Sequence, residues 1–248
     1  MPLELVTIRC LKDNYAYLLH GPAGTALIDA PEAAPILTEL DARGWGLDMI
    51  LLTHHHDDHI QGVPALVEAT GAEVLGAEAD ARRLPPLDQQ VAPGQALTVL
   101  GEPVEVIDVP GHTIGHVAFH FPESGMAFTA DSLMAMGCGR LFEGTPEQMW
   151  RALRQLNGLP GDTLICSGHD YCATNGAFAL SVDPDNADLR ERLEALQESR
   201  MPCAPATLAM ERATNPFLRA GHLAASLGMA DAPEVEVFAQ LRRMKDEF

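Results

Sequence analysis

The sequence predicts an α/β domain followed by a small helical domain, and three observations carry that prediction. Short β-type runs alternate with helical stretches up to about residue 170. Four of those runs lead, directly or within a few residues, to a His or Asp able to bind a metal ion. Beyond His169 the strand patterns give way to helical spacing punctuated by Pro202, Pro205 and Pro216. A boundary near residue 170 follows, giving an expected catalytic domain over residues 1–170 and a helical domain over 171–248.

The elements read in order as follows. Leu5-Val6-Thr7-Ile8, Asn14 to Leu19 and Ala26-Leu27-Ile28-Asp29 form a meander of short strands around the turn Gly21-Pro22-Ala23-Gly24. Ile36, Leu37 and Leu40 recur at helical spacing between Ala33 and Arg43, and Gly44 stops the helix. Met49-Ile50-Leu51-Leu52 is a strand. A helix from Gly62 to Thr70 ends at Gly71, before the strand Ala72-Glu73-Val74-Leu75. Residues 189–196, 206–212 and 235–244 read as the helices of the second domain.

The strand at Met49 delivers Thr53-His54-His55-His56-Asp57-Asp58-His59, four imidazoles and two carboxylates in seven residues. Neutral imidazole and carboxylate are ligands that zinc, iron and manganese accept. In extended chain His54 and His56 share a side, and a turn after Asp57 carries Asp58 and His59 to a neighbouring position. That spacing suits two metal subsites. Three further strand runs lead to Gly111-His112, Asp131 and Gly168-His169, and in α/β proteins sites gather beyond the carboxyl ends of strands.

Composition narrows the function classes. Sixteen basic residues against thirty-five acidic ones give a formal charge of −19, which repels a phosphate backbone, so nucleic acid is not an expected partner. The start Met-Pro-Leu-Glu-Leu-Val has no basic leader, and no uncharged run is long enough to span a bilayer, so no membrane partner is expected either. Five cysteines, odd in number and without a CxxC pair, read as reduced thiols of a cytoplasmic protein, and separately a monomer is expected. No GxSxG motif offers a serine nucleophile.

With His54-x-His56-x-Asp58-His59 followed by His112, Asp131 and His169, the chain resembles the metallo-β-lactamase superfamily, and within it the glyoxalase II (hydroxyacylglutathione hydrolase) family. The resemblance runs essentially end to end. It includes Asp13-Asn14-Tyr15-Ala16-Tyr17, Gly111-His112-Thr113-Ile114-Gly115-His116, Gly137-Cys138-Gly139-Arg140, Cys166 to Tyr171, Asn215-Pro216-Phe217-Leu218-Arg219 and Arg242 to Asp246. It implies an αββα sandwich of two mixed sheets flanked by helices, with a C-terminal helical domain.

The resemblance also implies two divalent ions, zinc first with iron or manganese as alternatives. His54, His56 and His112 would hold one, Asp58, His59 and His169 the other, and Asp131 both, with His116 orienting a ligand from behind. The implied reaction is hydrolysis of an S-(2-hydroxyacyl)glutathione by a metal-bridging hydroxide, with Asp58 and Asp131 as the catalytic carboxylates. Arg140, Phe142, Tyr171, Asn175, Arg242 and Lys245 fall where the family binds glutathione. Arg140 stands where Lys is usual, Phe142 where Tyr is frequent, Asp170 where Glu is common and Ala130 where Gly precedes the bridging Asp. His20, His55, His120 and His222 have no implied role. Rival readings are a lactonase or β-lactamase on the same scaffold, a mononuclear iron persulfide dioxygenase, and a binding module that keeps the metals as a structural clamp.

Overall fold

The computed structural model describes residues 2–199 and 202–248. Its backbone contacts gather into two compact units, one formed by the chain up to Asp108 with Gly115–Ala130, the other by Val109–Ile114 with Asp131–Phe248.

In the first unit β1 (Glu4–Cys10), β2 (Asn14–Gly21) and β3 (Gly24–Ile28) form the expected antiparallel meander. Helix α1 (Ala33–Arg43) closes on Gly44, whose φ of 67° accepts a left-handed cap. Strand β4 (Met49–Leu52) then lies parallel to β3, with Ile28 opposite Leu51. The short helix α2 (Asp57–Ile60) follows the histidine run, and α3 (Val63–Thr70) leads to β5 (Glu73–Ala77) and β6 (Gln89–Val91), both parallel additions. Side chains of α1 and α3, among them Ile36, Leu40 and Leu66, join Ile8, Leu18, Leu27, Ile50 and Val74 in one buried cluster. Burial of that face fixes the register of the parallel strands, and the register fixes where the chain leaves them. Strands β7 (Ala96–Val99), β8 (Glu102–Asp108), β9 (Val117–Phe121) and β10 (Met126–Ala130) complete the unit as an antiparallel meander.

The second unit contains the hairpin β11 (Leu133–Met134) and β12 (Gly137–Cys138), helix α4 (Pro146–Leu156) and strand β13 (Leu164–Ser167). Helices α5 (Cys172–Val182) and α6 (Ala187–Ser199) follow. Strand β14 (Ala206–Thr207), α7 (Leu208–Thr214), α8 (Ala220–Leu223) and α9 (Glu234–Glu247) end the chain.

Three findings depart from the sequence reading. Residues past His169 are not purely helical, because Ala206 and Thr207 pair antiparallel with Ile165 and Leu164. Helices α4 and α5 went unread. Thr145 and Gln148 do cap α4 reciprocally, a signal present in the sequence, whereas α5 has no strongly polar face and places Gly176 in the path of Leu193. Nor are all five cysteines reduced. Cys172 and Cys203 form a disulfide across 31 residues, their Cα atoms 6.2 Å apart, because the chain beyond α6 returns to the start of α5, a proximity that spacing does not reveal.

Candidate metal centre

The first unit supplies a set of donors held by one buried carboxylate. Parallel pairing of β3 and β4 makes the residues after them neighbours, so Asp29 meets Thr53. Asp29 adopts φ 56°, a conformation Asp tolerates, and turns its carboxylate inward. Its Oδ1 accepts from the Thr53 N–H at 2.9 Å, and its Oδ2 accepts from Thr53 Oγ1 and His59 Nδ1, both at 2.8 Å. Since the Thr53 hydroxyl donates to Asp29, it accepts from His54 Nδ1 at 3.0 Å.

Both buried imidazoles are thereby fixed as the Nδ1–H tautomer, leaving Nε2 of His54 and His59 as lone-pair donors. His54 Nε2 faces His56 Nδ1 at 3.2 Å. Donor atoms of Asp29, His54 and His59 all lie within 4.8 Å of one another. Asn14, from the Asp13-Asn14-Tyr15 stretch, donates to both the main-chain O (2.9 Å) and Oδ2 (3.0 Å) of Asp58, whose Oδ2 stands 3.9 Å from His59 Nε2. His116 stacks on His54 at 4.6 Å.

Asp29 and Asn14 are the residues that sequence reasoning missed. Asp29 ends an apolar run as Asp131 does, and that signal was legible. The other histidines have plain structural partners: His55 bonds Asp80 and His120 bonds Glu105, while His20 bonds Thr25 and stacks on Trp45.

The second unit carries the remaining donors. His112 Nδ1 donates to Arg140 O at 2.9 Å, so the lone pair of this imidazole lies on Nε2. That Nε2 and His169 Nε2 each stand 3.3 Å from the same oxygen of Asp131, Oδ2. Acceptor atoms this close repel unless a cation or added protons lie among them. Gly139 is required here, since a Cβ would run into Asp131 O and come within 3.0 Å of His112 Nδ1. The nitrogen and oxygen donors suit a hard or borderline divalent ion without deciding which.

The expected substrate residues divide into two kinds. Phe142 is 61% exposed and set edge-on to His112, Arg140 is exposed, and Tyr171 is 38% exposed and stacked on His169 at 4.6 Å. Lys245 is half-buried, donates to Thr174 O at 3.0 Å, and has its pKa lowered by desolvation and by Arg242. By contrast Asn175 and Arg242 are buried and turned to the chain's own carbonyls. Asn175 donates to Ala135 O at 3.0 Å and Arg242 to Cys138 O at 2.9 Å, with the Arg242 guanidinium over the Phe217 ring.

No helix among the described residues is long and apolar enough to cross a membrane.

Comparison with known proteins places the chain in a family. Residues 12–169 match the model of the metallo-β-lactamase superfamily, and residues 170–248 match that of the hydroxyacylglutathione hydrolase C-terminus. The chain is 57% identical to a hydroxyacylglutathione hydrolase of Cereibacter sphaeroides over the full length of both, and equally to one of Ruegeria pomeroyi. It is 58% identical to that of Jannaschia sp., covering 99% of this chain and 98% of the relative. Among solved structures, ETHE1 from Myxococcus xanthus superposes with a TM-score of 0.65 at 22% identity, covering 98% and 97% of the two chains. The di-iron-bound form of TTHA1623 superposes at 0.61 with 29% identity, covering 87% of this chain and all of that one. The fold is accordingly two mixed sheets flanked by helices, and the chain belongs to the hydroxyacylglutathione hydrolase family of the metallo-β-lactamase superfamily.

Proposed function

We propose that the chain hydrolyses S-(2-hydroxyacyl)glutathione, with S-D-lactoylglutathione as the type substrate, to glutathione and the hydroxy acid. The observation that carries this reading is end-to-end identity above 50% to hydroxyacylglutathione hydrolases. In this reading His54, His56 and His112 hold one divalent ion, Asp58, His59 and His169 a second, and Asp131 both. The donor set fits, because the Nδ1 atoms of His54, His59 and His112 each have an acceptor, which puts the lone pair a metal would take on Nε2. When bound, such ions supply a water of lowered pKa and a Lewis acid for the thioester carbonyl.

The chain's own residues do the rest. Asp29 holds His59 and, through Thr53, His54. Asn14 sets the Asp58 carboxylate, which orients the attacking water. Phe142 and Tyr171, ring to ring with His112 and His169, wall the acyl group, and Arg140 and Lys245 receive the glutathione carboxylates as local cations on an acidic protein. Asn175 and Arg242 shape that surface from beneath by fixing the carbonyls of Ala135 and Cys138. The thiolate leaves without a strong general acid. Residues 171–248 serve as the substrate-binding helical domain of a cytoplasmic monomer.

A substrate panel tests the proposal. Lactoylglutathione should be hydrolysed at least ~10³-fold more efficiently than a lactone or a β-lactam, the discrimination expected when a polar-recognition site rejects ligands lacking the tripeptide. Comparable turnover of either rival would move the chain to the other hydrolase reading.

A further inference from the structure

The disulfide sits where substrate is to be gripped. Cys172 is the first residue of α5, and Tyr171, which stacks on His169, precedes it directly. One turn on, Thr174 O receives Lys245 and Asn175 holds Ala135. The Cys172 side chain packs against the cluster of Met136, Ala179 and Leu189, and the Met136 N–H is itself held by Glu211 in the turn that leads to Cys138. The start of α5 thus carries the bridge, and the turn of the β11–β12 hairpin shares through Met136 the cluster that Cys172 packs against.

The two sulfurs are not equivalent. Cys172 is half-buried and reachable, whereas Cys203 is 5% exposed and lies 3.4 Å from Asp170 Oδ1. A disulfide sulfur has no proton to give that carboxylate, but a thiol has. Opening the bridge thus lets Cys203 donate an S–H···O bond to Asp170. The remaining cysteines offer no such chemistry: burial pushes the Cys10 thiol up to about 12 and the Cys138 thiol to about 11, and raises Cys166 as well.

We propose that Cys172 and Cys203 form a thiol-exchange site for glutathione, whose opening loosens the Tyr171–Lys245 face and weakens its hold on glutathione thioesters. The choice of thiol rests on the proposed function, since glutathione is the product released there. A glutathione thiolate attacks Cys172 Sγ, forming a Cys172–glutathione mixed disulfide while Cys203 leaves as thiolate and takes up the proton the glutathione thiol lost. A second glutathione attacks the glutathione sulfur of the mixed disulfide. Glutathione disulfide departs and Cys172 becomes a thiol, so two glutathione thiols have supplied two electrons to one bridge.

The test equilibrates the metal-loaded full chain in glutathione buffers from strongly reducing to strongly oxidising, alkylates free thiols and reads intact mass. Graded passage through bridge, mixed disulfide and dithiol is expected, with the glutathione adduct mapping to Cys172. KM for lactoylglutathione should rise about threefold or more in the dithiol state, with kcat changed by less than about twofold. Cys203→Ser, which keeps a donor to Asp170, should hold the high KM under all buffers, and Cys172→Ser should take up no glutathione. A bridge that glutathione fails to open in the native chain, or equal KM in both states, overturns the proposal. Absent hydrolysis in every state refutes the assigned function instead, because the mass readout does not depend on turnover.

Discussion

The two sets of metal donors are held in different ways. In the first unit Asp29 organises Thr53, His54 and His59 within a few ångströms, and every partner stands just past one of two adjacent parallel strands or in the short helix α2 that follows. In the second unit the segment from Asp131 to Phe142 is held from far along the chain. Arg192 and Glu211 form a buried ion pair at 2.6 Å, and Glu211 also accepts from the Met136 N–H and Asn215 Nδ2. Asn215 in turn donates to Met134 O and Gly137 O, and Arg242 to Cys138 O. The donors of the first unit are thus fixed by local register, and the Asp131 to Phe142 segment of the second by a remote ionic network.

That contrast sets the size of each mutational effect. Glu211→Ala should be the most damaging, because it leaves the Arg192 guanidinium buried without its carboxylate. A loss of about 3–5 kcal/mol in urea unfolding of the metal-loaded protein is expected. A loss under about 1 kcal/mol would mean the network is not what holds the hairpin. Asp29→Asn should leave stability nearer to normal but lower metal affinity by ~10–100-fold, measured by competition with a chelating dye, because the carboxylate that fixes the His54 and His59 tautomers is gone. Unchanged metal affinity would place the control of those rings elsewhere.

Two smaller changes follow, one on the substrate side and one at a helix cap. Phe142→Tyr restores a hydroxyl at an exposed position and should lower KM for lactoylglutathione by about two- to tenfold with kcat unchanged, the value of one hydrogen bond. Thr145→Ala removes the cap of α4, costing about 1 kcal/mol in denaturant unfolding and leaving metal affinity alone. A fall in metal affinity there would mean that the cap also braces the His112 loop, through the bond from Gly144 N–H to Gly111 O.

The same contrast explains what was legible in the sequence. Strands β1 to β5 and the donors His54 to His59 could be read because apolar runs, glycine stops and the histidine cluster are local patterns. His112, Asp131 and His169 each follow a strand run and were read by that rule. Asp29 follows one too, but in a stretch without histidines. The roles of Glu211 and Asn215 were not legible: they act across 75 to 81 residues on main-chain groups, which leave no side-chain signature in the segment they hold, and Arg192 acts through Glu211. Arg242 and Lys245 looked alike as C-terminal cations. Burial separates them, the first facing Cys138 O and the second remaining at the surface of α9.

The central claim is that seven side chains, His54, His56, Asp58, His59, His112, Asp131 and His169, hold two divalent ions that hydrolysis needs. Metal content per chain, followed during stepwise reloading of chelated protein alongside lactoylglutathione hydrolysis in the same samples, tests it most directly. The account predicts two ions per chain at full activity and a loss of hydrolysis as they are withdrawn. Full hydrolysis with one ion per chain or none would contradict it.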